Sequence, residues 1–238
     1  MATEKKLLLS FILIVLNLGL ICTDKAPIII SLGIDCEPAT VLHNFALRNN
    51  AYPFDQLVTQ FSSLYSLLEN DFDCFLQKNN LIYASHPFNA RFGDPEAKYV
   101  IETKYDIIFR HHFEFSDKFL DSYGAVKKLF NRRIARFYDH IHSDKYIYFL
   151  RKHMTKEQAQ LLVNLIDRKF PNLRYKLIVV NFLSDSNESW GINKVNNFYI
   201  SSFGIVDEWW KWPQRFAEWQ AIFKQLGVLK KNNLMTDG

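Results

Sequence analysis

The sequence predicts an α/β fold: a mostly parallel sheet with helices on both faces, three layers in all. Three observations carry this. Short apolar runs alternate with amphipathic helical stretches, the order that strand-helix-strand crossovers produce. The run Ile28 to Leu32 is β-branched and apolar without polar alternation, as a strand buried on both faces is. The chain has 238 residues, 48% of them apolar and 21 of them Phe, enough for one substantial core and incompatible with disorder. Residues 27–238 are therefore expected to form a single α/β domain of catalytic type, with no internal repeat and too little Gly and Pro for a flexible linker.

The preceding segment is different. Lys5-Lys6 lead into Leu7 to Cys22, an apolar run broken only by Ser10, Asn17 and Gly19. That is the charged and then apolar pattern of a secretory signal, and it is short for a spanning helix, which needs about 20 apolar residues. Residues 1–23 are read as a signal peptide, or as an anchor if uncleaved, so the expected location is secreted or periplasmic, with membrane attachment only through this segment. The net charge of +4, from 29 basic and 25 acidic residues, is too mild to indicate a nucleic-acid partner. No glycine-rich nucleotide fingerprint is present and no cofactor is expected.

In chain order, the strand Ile28 to Leu32 ends at Gly33, and Pro38 marks the first turn of a helix carrying Ala39, Leu42, Phe45 and Ala46. Tyr52-Pro53-Phe54-Asp55 makes a turn, and Asp55 is expected to cap a helix with Leu57, Val58, Phe61, Leu64, Tyr65 and Leu68 on one face. A long surface loop from Asp71 to Lys98 holds a short strand at Leu81 to Ala84. Tyr99 to Glu102 and Asp106 to Phe109 read as strands, Ser122 to His140 as a helix and Lys145 to Arg151 as a strand. Thr155 and Gln158 form a capping box before the stripe Leu161, Leu162, Leu165 and Ile166, and Pro171 stops that helix. Strands at Tyr175 to Phe182 and Phe198 to Phe203 and a helix from Pro213 to Leu226 complete the order.

In such a sheet, ligands bind outside the carboxyl ends of the strands. Cys36 falls there, beside a helix N-terminus whose unpaired N–H groups favour negative charge. A cysteine nucleophile needs a base, and the base needs an orienting group. Of seven histidines, His111 and His112 end a buried-looking strand, and side-chain alternation lets only one of them face Cys36. The neighbouring carboxylates Asp35 and Glu37 oppose thiolate formation unless a cation offsets them. Arg133 lies within the apolar stripe between Leu129 and Phe137. It either locks Asp35 or Asp55 in an ion pair or holds a substrate carboxylate or phosphate. A Cys36 to Cys74 disulfide would make Cys36 structural instead. The histidine spacing is poor for zinc, and no metal is expected. The aromatic cluster Trp209-Trp210-Lys211-Trp212 with Trp219 either stacks on a ligand or packs.

Five segments, Ile30-Ser31-Leu32-Gly33-Ile34-Asp35-Cys36, Tyr52-Pro53-Phe54-Asp55, Ile107 to Phe113, Arg132 to Phe137 and Tyr148-Phe149-Leu150-Arg151, stand in the order in which a family of papain-like cysteine peptidases from bacteria and some viruses carries them. The chain resembles that family from Ile30 to Arg151. The resemblance implies Cys36 as nucleophile, His111 as its base and Asp55 as the orienting group. Gly33, Arg133 and His112 are the substrate-binding candidates. Two positions depart from the family pattern: Gln56 stands where tryptophan is usual, and His112 where aspartate is usual. The strand order itself is Rossmann-like or SGNH-like, and SGNH hydrolases also place a nucleophile after the first strand. The expected activity is thiol hydrolysis of a peptide or another acyl-bearing substrate. The alternatives are an acyltransferase or esterase acting on polysaccharide or lipid, and a catalytically inactive binding module.

Overall fold

The computed structural model describes residues 27–182, 189–201 and 212–229. The signal-like segment, Trp209, Trp210 and Lys211 lie outside these residues. Four strands, β1 (Ile28–Ser31), β6 (Ile147–Lys152), β7 (Tyr175–Phe182) and β8 (Val195–Ile200), form a parallel sheet in the order β1-β6-β7-β8. Its register aligns Ile28 with Ile147, and Ile147 with Tyr175.

Both faces of this sheet are covered, as the apolar run in β1 requires. On one face Ile30, Leu32, Ile147, Phe149, Leu177 and Val179 pack with apolar residues of α2 (Phe61–Glu69), α3 (Tyr123–Ile141) and α4 (Lys156–Lys169). On the other, Ile29, Leu150, Ile178, Val180 and Ile200 pack with Val41 and Leu42 of α1 (Glu37–Asn44) and with Trp219, Ile222 and Phe223 of α5 (Trp212–Gln225). Ile29 and Ile30 take opposite faces because strand side chains alternate, and each such buried side chain contributes roughly 1.5–3 kcal/mol. The capping box at α4 forms as expected, with Thr155 accepting from the Gln158 N–H and the Gln158 side chain accepting from the Thr155 N–H.

The sheet at the other end of the molecule differs from the expectation. β2 (Leu57–Thr59), β3 (Leu81–Ser85), β4 (Lys98–Glu102) and β5 (Ile107–Phe109) form a separate antiparallel sheet in the order β2-β5-β4-β3. Three of these had been read as members of a mostly parallel sheet, and the stretch from Leu57 as helix. The link between β4 and β5 is too short for a parallel crossover, which needs a dozen or more residues. Asp55 caps no helix: its carboxylate accepts the Tyr52 N–H at 2.9 Å and closes the turn, after which Leu57 pairs with Phe109. Helix α2 begins at Phe61 with Gln60 as its N-cap residue. One face of the antiparallel sheet, with Leu57, Val100, Ile107 and Phe109, joins the main core. Val58, Ile101 and Ile108 form a smaller cluster on the other. Among the described residues no helix is long and apolar enough to cross a membrane.

Candidate functional site

The chain leaves the parallel sheet through a tight, clamped loop. Leu32 continues the ladder by donating to the Leu150 carbonyl at 2.8 Å. The backbone then turns through positive φ at Gly33 (79°) and Ile34 (38°). A side chain at position 33 is doubly excluded, since a Cβ there would lie 2.6 Å from Thr59 Oγ1. Arg151, fully buried, fastens the loop to the second sheet. Its Nη1 donates to the Leu32 carbonyl at 2.5 Å and its Nη2 to the Thr59 carbonyl at 2.8 Å, while the Thr59 N–H donates to Ile34. Burial pulls the guanidinium down to about 9 against the opposing pull of Asp35, which still leaves it cationic at neutral pH. Gly33 thus has a steric role as the point where the two sheets touch.

Cys36 follows as the N-cap residue of α1, with Pro38 in the first turn. Thr40 fixes its carbonyl through both N–H and hydroxyl, at 3.0 and 2.9 Å. The Cys36 thiol is pushed up from its ordinary value by burial first and by Asp35 second, with Arg110 and Lys152 pulling the other way. At neutral pH it is a thiol.

The flanking carboxylates are not left exposed to the sulfur. Lys152, at the carboxyl end of β6, reaches Asp35 Oδ2 at 3.1 Å and also donates to Glu37 Oε2. Arg215 Nη1 meets Glu37 Oε2 at 3.2 Å, and Trp219 Nε1 donates to Glu37 Oε1 at 2.9 Å. Burial works against the Asp35 charge, but Lys152 and the Glu37 N–H outweigh it and hold the carboxyl below its usual range. Lys152 is held above its usual value by the same two carboxylates despite its burial. His153, the residue after Lys152, adds a further weak attraction on Asp35, and its ring lies edge-on to Phe182 at 4.4 Å.

The predicted base is placed differently. His111 follows β5 of the antiparallel sheet and is exposed. Burial, modest as it is, and the adjacent Arg110 lower its pKa, so the ring is neutral at pH 7. Among the described residues the His111 ring makes no hydrogen bond, so it is not bonded to the Cys36 sulfur. Arg110, whose charge is felt at Cys36, lies over the Tyr99 ring at 5.3 Å.

Arg133 and His112 sit behind this segment. Arg133 is 7% exposed, as its place in the apolar stripe predicts. Its Nη1 donates to the Asp55 carbonyl at 3.3 Å and lies 3.2 Å from His112 Nε2. The paired group is thus the backbone of Asp55, and neither Asp35 nor the Asp55 carboxylate is locked by Arg133. Guanidinium has only donors, so His112 Nε2 accepts and the proton resides on Nδ1. Burial, then Arg133, bring His112 down to about 3. Asp55 is fully buried and pairs with Arg48 at 3.3 Å. Burial raises it to about 6 in spite of that partner. Its carboxylate holds the turn of residues 52–55, while its backbone carbonyl, through Arg133 and His112, is joined to the His111 segment.

Lys152, Arg215 and Trp219 had not been singled out as partners of Cys36. Two signals pointed to them: consecutive cations, Arg151 and Lys152, ending a buried strand, and Arg215 and Trp219 one helical turn apart on one face. Cys36 and Cys74 are both free thiols, so no disulfide joins them. No cluster of three or more metal-ligating side chains occurs among the described residues.

One protein family, described as "putative papain-like cysteine peptidase (DUF1796)", matches residues 28–184. The chain belongs to this family. The papain-like match spans β1 through β7, and so includes the Cys36 loop, the His111 segment and Lys152, while Arg215 and Trp219 lie beyond it. No curated protein and no solved structure matches the chain. The family description names a chemistry, and in this member a parallel four-stranded sheet carries Cys36 just beyond its first strand.

Proposed function

We propose that the protein is a thiol hydrolase in which Cys36 attacks the carbonyl carbon of a peptide or related acyl substrate. The observation that carries this reading is the position of Cys36: an N-cap cysteine at the carboxyl edge of a parallel sheet, on a loop clamped by Arg151, with Arg110 and Lys152 as nearby cations. Family membership supports the same reaction class. His111 takes the thiol proton as the carbon–sulfur bond forms, and gives it to the leaving amine or alcohol as the acyl bond breaks. A water then hydrolyses the thioester, its proton passing through His111, and the thiol is regenerated. The Cys36 N–H stabilises the oxyanion. Because the free thiol and imidazole are both neutral, proton transfer accompanies attack, and the His111 segment closes on Cys36 when substrate binds. Asp55, through Arg133 and His112, backs that segment, and substrate lies between it and the Gly33 loop. Export through residues 1–23 places the reaction outside the cytoplasm.

A second reading gives the base role to His153, because it directly follows β6, the neighbour of β1, and acts electrostatically on Asp35. The test compares wild type, Cys36→Ala, His111→Gln and His153→Gln on peptide and ester libraries. Turnover is expected to vanish with Cys36→Ala and to fall about 10²–10⁴-fold with His111→Gln. Loss with His153→Gln alone transfers the base role. Turnover that survives Cys36→Ala overturns the thiol reading, and Cys36-dependent ester cleavage without peptide cleavage restricts it to esterase or acyl-transfer chemistry.

A further inference from the structure

Cys36 has a carboxylate on each side, and a net negative charge beside a sulfur opposes its ionisation. The structure places two cations against these two carboxylates. Lys152 is shared, 3.1 Å from Asp35 Oδ2 and also bonded to Glu37 Oε2. One ammonium cannot offset two carboxylates. The second cation is Arg215, which approaches Glu37 from α5 at 3.2 Å, while Trp219, one turn later, donates to the other oxygen of the same carboxylate at 2.9 Å. Glu37 is the first residue of α1, 6% exposed, so this pairing is largely shielded from water and salt. Arg215 is held in turn by the Ser201 carbonyl at 3.3 Å and packs over Phe182 at 5.5 Å. Glu218, on the same helix, accepts from the Ser201 N–H and hydroxyl at 3.0 and 2.6 Å, which fixes α5 against the end of β8. The charged and titratable groups facing the thiol or its two flanking carboxylates are therefore Asp35 and Glu37 themselves, Lys152 at the end of β6, His153 just after it, Arg110 just after β5 and Arg215 from α5.

We propose that Arg215, with Trp219, is a positioning element of the Cys36 centre: it takes over the Glu37 carboxylate, so that Lys152 is left to offset Asp35 and the sulfur can ionise during attack. This rests on the thiol-hydrolase reading for its purpose but not for its test. Helix α5 lies outside the stretch that matches the family.

The test reads the sulfur directly. In the full chain carrying Cys22→Ser and Cys74→Ser, the rate of iodoacetamide alkylation of Cys36 is followed against pH. Arg215→Met is expected to move the alkylation midpoint up by about 1 unit, and Arg215→Lys to restore it. Glu37→Gln is expected to move it down, and the double variant Glu37→Gln/Arg215→Met to fall at the midpoint of Glu37→Gln, since Arg215 has no work left once Glu37 is neutral. Circular dichroism accompanies each variant. If Arg215→Met fails to fold, Glu37→Gln and the double variant decide. Midpoints unchanged in the folded variants overturn the proposal. Loss of Cys36-dependent turnover in the libraries would overturn the hydrolase reading instead, and leaves these shifts standing.

Discussion

Cys36 and His111 stand on different sheets, and their surroundings are built in opposite ways. Around Cys36, Arg151, Lys152, Glu37 and Trp219 are all buried and tied to one another or to the loop backbone. Around His111 the ring is exposed and makes no hydrogen bond among the described residues, while buried Arg133 and half-buried His112 hold the chain behind it. Under the proposed function, Cys36 is held in place before substrate arrives and His111 is brought to it by substrate. A fixed nucleophile avoids an ordering cost at the moment of reaction, and an unengaged base keeps the thiol protonated and less open to oxidation.

Substitutions on the two sides should differ in kind. The largest effect is expected at Arg151. Arg151→Met leaves the Leu32 and Thr59 carbonyls unsatisfied in the interior and should cost roughly 2–5 kcal/mol in urea unfolding. A cost below about 1 kcal/mol would mean that the two sheets do not depend on this clamp. Next comes the acid limb of stability. His112 binds its proton near its ordinary value of 6.5 when unfolded but only at about 3 when folded. The unfolded state therefore holds more protons across that window, and stability falls as pH drops from about 6.5 towards 3. His112→Gln, which keeps an acceptor for Arg133, should flatten that limb by on the order of 2–3 kcal/mol in denaturation series between pH 7 and 4. An unchanged slope would rule out His112 as its source.

Gly33→Ala should cost about 1–3 kcal/mol, because it combines a positive φ with the Thr59 contact. Crystals of the variant would show Thr59 or the loop displaced. If the loop is not strained, unfolding midpoints will coincide with wild type. The smallest effect on stability belongs to His111→Gln, within about 0.5 kcal/mol for so exposed a ring. Its effect on turnover is the large one. A variant that loses stability in proportion to activity would show that the contrast between the two sides is wrong.

Much of the parallel half was legible in the sequence. β1, β7, α3 and α4 fall within one or two residues of their expected bounds because their patterns are long or bounded by Gly33, Thr155 and Pro171. Cys36 at a helix start followed from Pro38. Of the antiparallel sheet, β3, β4 and β5 were legible as strands but their separate pairing was not, and β2 was missed, since its three residues are too few to display a period and Leu57 and Val58 also fit the helical spacing of Phe61 and Leu64. The buried arginine at position 133 was found from the stripe, but its partner was a carbonyl, which side-chain reasoning does not see. The charge partners of Glu37 lie 115 and 178 residues away in sequence, so no local pattern joins them.

That long reach has a consequence for how the chain matures. Cys36 emerges early in synthesis, yet part of the apolar face of Ile29, Leu150, Ile178 and Val180 and the Glu37 carboxylate await α5, whose Arg215 lies 178 residues after Glu37. A nascent or truncated chain ending near residue 184 would leave part of that sheet face uncovered and the Glu37 anion paired with Lys152 alone. The charged surroundings of Cys36 are thus completed only once α5 is made.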